Sequence, residues 1–144
     1  MDFPSERISR SEEDTKQLAL EFLSELKAGD VVVLNGALGT GKTFFIKKIT
    51  EALGITKANS PTFALVNEYE SEPNVRIYHF DFYRINKEAE LHDIGLEDYL
   101  ADNEAITFIE WGELFPDILP HKRYEIKIEE IENEQRKFRF SKLT

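Results

Sequence analysis

Cysteine is absent from the sequence, which excludes disulfides and thiolate metal sites. Basic residues are scarce: 18 Lys and Arg stand against 28 Asp and Glu, leaving a formal charge of −10. Such acidity opposes autonomous binding to nucleic acid, because the phosphate backbone demands a basic face. If RNA enters the biology, a partner holds it; the plainer reading is that the charge serves solubility alone. Long apolar runs are missing too. The longest aliphatic run, Val31 to Leu34, is far too short to span a bilayer, and the first twenty residues hold no stretch of signal-peptide length. No membrane association and a cytoplasmic address are therefore expected. There is also no internal repeat, linker or low-complexity tail.

What is present is a globular composition, 41% hydrophobic and 32% charged over 144 residues. A chain of this size can bury about 68–70% of its unfolded surface in one core, so a single domain over residues 1–144 is expected. Ser11 with Asp14 three residues on reads as a capping box, and Leu18, Phe22, Leu23 and Leu26 recur at helical spacing until Gly29. Val31–Leu34 is continuously apolar and β-branched, the pattern of a central parallel strand covered on both faces. Phe45, Ile46, Ile49 and Leu53 then give a second helix one apolar face before Gly54.

Further on, residues 63–70 and 75–82 flank a Ser-Glu-Pro-Asn turn and read as an antiparallel hairpin that leaves Asp81 near a strand end. Residues 87–99 read as one or two short helices broken at Gly95, and 106–111 as a second buried strand. Tyr124, Ile126 and Ile128 alternate, as do Phe138 and Phe140, with Glu-Asn-Glu between them, giving a closing hairpin. The fold class expected is α/β: a P-loop NTPase-like mixed sheet with parallel central strands, flanking helices and antiparallel hairpins. Its ligand should sit at the carboxyl ends of the parallel strands.

Between the first strand and the second helix lies Gly36-Ala37-Leu38-Gly39-Thr40-Gly41-Lys42-Thr43, which fills G-x-x-x-x-G-K-[ST]. Glycines let the backbone curl so that its N–H groups converge on phosphate, and the following helix presents its positive end. Lys42 adds a full charge near the β and γ phosphates, and Thr43 offers a hydroxyl to Mg²⁺. Magnesium on a triphosphate also calls for a carboxylate near a strand end. Glu110 and Asp81 qualify. Either could ligate the metal while the other orients the attacking water. Glu110 closes an apolar strand, where burial requires a cation, a water or a donor to satisfy it; for Asp81 the alternative is a surface ion pair with Arg84.

Thr62, in Ser-Pro-Thr-Phe, is the candidate to sense the γ-phosphate, against a loop hydroxyl that satisfies local backbone. Trp111 either stacks on a base or partner or packs in the core. His79, His92 and His121 lack metal-site spacing and are read as structural or surface residues. No base reader of guanine type follows the loop: Asn86-Lys-Glu-Ala89 lacks the needed aspartate, so adenine is expected. A small-molecule kinase would surround the transferred phosphate with several arginines, yet only Arg76 and Arg84 lie between Lys42 and Pro120. A binding module without hydrolysis is the third reading.

Together, the phosphate loop, Ser60-Pro-Thr-Phe63, His79-x-Asp81-x-Tyr83-Arg84, residues 93–100 (DIGLEDYL) and 109–113 (IEWGE) resemble the TsaE family, formerly YjeE. The likeness runs from the first helix to Glu113. Thr40 stands where that family commonly has Ala, and Gly112 where it often has Pro. The resemblance implies a single P-loop ATPase domain that takes ATP and Mg²⁺ and joins TsaB and TsaD in making threonylcarbamoyladenosine on tRNA. It would touch tRNA only through that complex, and hydrolysis would reset the assembly between turnovers. It also implies that residues 36–43 and Trp111 line the nucleotide, that Thr43, Asp81 and Glu110 serve the metal, and that Thr62, Asp81 and Glu110 serve catalysis. Slow turnover in isolation is expected, since no arginine finger is evident in cis unless Arg84 serves as one.

Overall fold

The apolar run at residue 31 forms the middle of one eight-stranded sheet. The computed structural model describes the chain except residues 38, 56–58, 64–65 and 72–74, and describes backbone alone at 59–63 and 71. The strands are β1 (Ser5–Ser9), β2 (Val31–Asn35), β3 (Asn59–Phe63), β4 (Val66–Ser71), β5 (Val75–Asp81), β6 (Ala105–Glu110), β7 (Arg123–Glu130) and β8 (Arg136–Leu143). Their spatial order is β1-β8-β7-β2-β6-β5-β4-β3. The four central strands β7, β2, β6 and β5 run parallel, with antiparallel pairs added outside them on each side.

Strand alternation sorts the core into two layers. Val32, Leu34, Phe108, Ile126, Ile128, Phe138 and Phe140 face the helices α1 (Glu12–Leu23) and α2 (Lys42–Ala52), meeting Leu18, Phe22, Phe45, Ile46 and Ile49. Val31, Val33, Tyr78, Phe80 and Ile109 face the other way, under Leu91 of α3 (Glu88–Asp93) and Leu96 of α4 (Leu96–Leu100). This double cover explains why β2 carries no polar residue until Asn35. No helix among the described residues is long and apolar enough to cross a membrane.

Four details differ from the sequence reading. Ser11 caps α1 by accepting from Asp14 N–H at 3.0 Å, but the Asp14 carboxylate reaches back to Arg10 N–H rather than to the cap itself. Helix α1 stops at Leu23, because Ser24 Oγ takes the Glu21 carbonyl at 2.6 Å and the chain tightens into 3-10-type bonds at Glu25 and Leu26. The strand expected over 63–70 falls on the last residue of β3 and on β4, with residues 64–65 outside the described residues. Finally, β1 went unread, since Ser-Glu-Arg-Ile-Ser carries a single apolar side chain and sits at the sheet edge.

The amino end of β5 is tied to the turn before β6. Tyr78 donates its hydroxyl to Asp102 at 2.6 Å, and Arg76 reaches the same carboxylate at 3.2 Å. Burial, then the bond to Asp102, pushes the Tyr78 phenol up to about 12. The unfolded value is about 10, so the folded state holds this proton more tightly. That contribution to stability is complete below about pH 10 and is lost as pH rises through the folded value. Chemical denaturation between pH 9 and 12 should show this decline, and Tyr78→Phe should remove its share.

Candidate functional site

Four elements converge at the carboxyl ends of the parallel strands. Strand β2 delivers the loop, α2 begins at its far end with Lys42, and β6 and β5 end side by side with Glu110 opposite Asp81 in register. The alternation that turns Phe108 toward α2 turns Glu110, His79 and Asp81 the same way. A cleft of about 270 Å³ lies between them, lined by Gly39 to Phe44, Asp81, Glu110 and Trp111.

Close approach shapes the loop. Gly36 has φ 151°, and a Cβ there would stand 2.5 Å from the Ile128 carbonyl oxygen on β7, a backbone atom that cannot swing aside. Thr40, buried, donates its hydroxyl to the Ala37 carbonyl at 2.9 Å and its N–H to the same oxygen at 3.3 Å, fastening the turn from inside. Leu38 lies outside the described residues.

Lys42 is only 5% exposed. Its ammonium donates to the Gly36 carbonyl and, at 3.5 Å, to that of Ala37, and stands 3.7 Å from the centre of the Trp111 ring. Burial lowers its pKa, with Glu110, Glu113 and Asp81 pulling the other way. Held by neutral carbonyls and an aromatic face, this charge is arranged for an anion. Trp111 takes φ 63°, a left-handed conformation that costs a bulky residue about 1–3 kcal/mol. It turns the indole out of the strand line, onto Lys42 on one side and the exposed Tyr83 ring, 5.0 Å away, on the other. Gly112 follows because a Cβ there would meet Val33 Cγ1 at 2.5 Å.

Thr43 donates its hydroxyl to Glu110, 2.9 Å from Oε1 and 3.0 Å from Oε2. Glu110, buried, meets His79 Nε2 at 2.5 Å. Burial is the largest influence on Glu110 and acts to raise its pKa, but the bonds from His79 and Thr43 and the charge of Lys42 outweigh it and hold the carboxyl below its ordinary value. Asp81 is half-buried. One of its oxygens accepts the Tyr83 N–H at 3.0 Å, and it makes no ion pair with Arg84 among the described residues. The hydroxyl of Thr43 and the carboxylates of Glu110 and Asp81 form a hard oxygen set that suits Mg²⁺. No three His, Asp or Glu side chains cluster as a self-sufficient cation site among the described residues, so a metal here would lean on phosphate oxygens.

Thr62 falls in β3, but its side chain lies outside the described residues. His79, read from sequence as structural or surface, is buried against Glu110, on the structural side of that reading. Its signal was the His-x-Asp spacing, which puts His79 and Asp81 on one face of a strand. His92 is exposed on α3 and pairs with Glu97 and Glu88.

Comparison with known proteins bears on this geometry. The family model described as threonylcarbamoyl adenosine biosynthesis protein TsaE matches residues 9–138. The tRNA threonylcarbamoyladenosine biosynthesis protein TsaE of Rickettsia bellii is 39% identical over 134 residues, 92% of this chain and 91% of that one. The Bacillus subtilis protein of the same name is 38% identical over 130 residues, 90% of this chain and 80% of that one. The crystal structure of Bacillus subtilis YdiB superposes with a TM-score of 0.81 at 30% identity, covering 100% of this chain and 88% of that one.

Proposed function

Because the chain belongs to the TsaE family of tRNA threonylcarbamoyladenosine biosynthesis proteins, we propose that it is a slow ATPase serving that modification with TsaB and TsaD. The observation that carries the ATPase reading is the Thr43–Glu110 pair. A hydroxyl on the first turn of the helix after the loop is bonded to a buried carboxylate on the neighbouring strand end.

In this reading residues 1–144 act as one P-loop ATPase domain in the cytoplasm. Residues 36–43 wrap the phosphates, and Lys42 exchanges the Gly36 carbonyl for the β and γ oxygens. Trp111 borders the nucleotide. Thr43, Glu110 and Asp81 hold Mg²⁺, which when bound supplies neutralisation of the phosphate charge. Of the two carboxylates, Glu110 is aligned by two donors and Asp81 by one backbone N–H. This favours Glu110 as the group that fixes Thr43 and the attacking water together. Thr62 senses the γ-phosphate. Contact with tRNA is indirect, in keeping with the charge of −10.

A small-molecule kinase is the rival. The described cleft is lined by one cation, Lys42, and no arginine, whereas a phosphoryl acceptor site calls for several. Incubation of the purified protein with γ-labelled ATP, TsaB, TsaD and tRNA separates the readings. Slow phosphate release that rises about tenfold or more with the complete assembly is expected. An unchanged rate with all partners present refutes the proposal, label on a small acceptor shows a kinase, and no release shows a binding module.

A further inference from the structure

Glu110 ends β6 beside two polar neighbours on β5. Asp81 stands opposite it in register, and His79 lies one step back on the same face, diagonal to it across the two strands. The carboxylate is bonded to the second of these. Oε2 meets His79 Nε2 at 2.5 Å, while the Thr43 hydroxyl stands 2.9 Å from Oε1 and 3.0 Å from Oε2. The bond to His79 draws Glu110 back along the strand, away from the other carboxylate of the cleft.

A hydroxyl has one proton to give, and a carboxylate has two oxygens to fix. Thr43, nearly equidistant from both, can hold Glu110 at only one of them. A carboxyl group held at one oxygen still turns about its Cγ–Cδ bond, a torsion with broad wells. His79 supplies the second point. Glu110 is held ionised and can only accept, so the proton of the pair sits on Nε2. The imidazole is 8% exposed and is flanked in register by Phe108 on β6 and Asn67 on β4, which leaves the ring little room to step aside. His79 is not among the side chains that line the cleft, so its route to the reaction runs through Glu110.

We infer that His79 is a positioning residue for ATP hydrolysis: its Nε2–H pins Glu110 Oε2 and so fixes the plane of the carboxylate that orients the attacking water. This rests on the ATPase reading above. Without His79, Glu110 still meets Thr43 and the phosphate loop is untouched, so nucleotide binds as before. What is lost is alignment, which the reaction needs and binding does not. A histidine that only fills a gap in the core could be replaced by leucine with no loss of rate.

Single-turnover phosphate release and calorimetric titration of Mg·ATP, carried out on wild type, His79→Leu and His79→Gln, test this. His79→Leu should release phosphate about 100-fold more slowly, the cost of a misplacement of about 1 Å, while its affinity for Mg·ATP stays within about threefold of wild type. His79→Gln, whose amide nitrogen reaches the place of Nε2, should recover the rate to within about tenfold of wild type. In free wild type, the His79 Nε2–H proton, identified by its loss from His79→Gln, should resonate far downfield, as a donor to a carboxylate does. It should move upfield in Glu110→Gln and stay downfield when Mg·ADP is added to wild type. That measurement decides the matter even if His79→Leu does not fold. A Leu variant as fast as wild type, a Gln variant as slow as Leu, a Leu variant whose affinity falls as far as its rate, or a proton that Mg·ADP moves to its Glu110→Gln position overturns the inference. Wild type that binds Mg·ATP but releases no phosphate overturns the ATPase reading and the inference with it. Wild-type release with an unaltered Leu variant overturns the role of His79 alone.

Discussion

Lys42→Ala should lower the affinity for Mg·ATP by at least about 100-fold. Hydrogen bonds from a charged donor contribute about 1.5–3 kcal/mol each, each 1.4 kcal/mol is tenfold in affinity, and this ammonium can reach two phosphates. The group is already withdrawn from water, lodged between loop carbonyls and the Trp111 ring. Little desolvation is left for the ligand to bring about, and most of the attraction appears as binding. Lys42→Met separates charge from packing, because its unbranched chain can still lie along Trp111. Calorimetry should find Met and Ala equally defective, and thermal melting should find Met the more stable. Near-normal binding by Lys42→Met would show that the loop amides hold the phosphate without the lysine.

The centre of this fold is legible in the sequence because its chemistry is local. Val31 to Leu34 admits no reading but a strand buried on both faces, and Gly36 to Thr43 encodes its own turn. The unread parts depend on which strands lie together. Nothing local to His79 says that β5 runs parallel to β6, since helices α3 and α4 intervene; once it does, alternation forces His79 and Glu110 onto one face. Strand β1 escaped for a different reason: its backbone pairs with β8 while its side chains are mostly polar, so hydrophobic pattern was silent. The left-handed turn at Trp111 likewise has no sequence signature, being imposed by the approach of Gly112 to Val33.

Glu110→Ala should behave unlike the lysine variants, reducing kcat by about 10²- to 10⁴-fold, the range of a lost general base or water-orienting group, while Mg·ATP affinity changes by less than about tenfold. The carboxylate repels the triphosphate as well as gathering its metal, so its removal takes away an attraction and a repulsion together. A second measurement follows from that balance. In wild type, ATP without metal must enter beside two carboxylates with no metal ion to offset their charge, and its affinity should fall well below that of Mg·ATP. In Glu110→Gln the gap should narrow, since one repelling charge is gone while the amide can still engage Thr43 and His79 in the geometry the carboxylate now holds. The Gln variant also keeps the site filled, so Thr43 and His79 are not left facing a cavity and a folding defect does not obscure the kinetics. Single-turnover phosphate release and parallel titrations with and without Mg²⁺ read both quantities. Loss of affinity in Glu110→Gln equal to that in Lys42→Ala would place Glu110 among the groups that bind the phosphates rather than those that act on them.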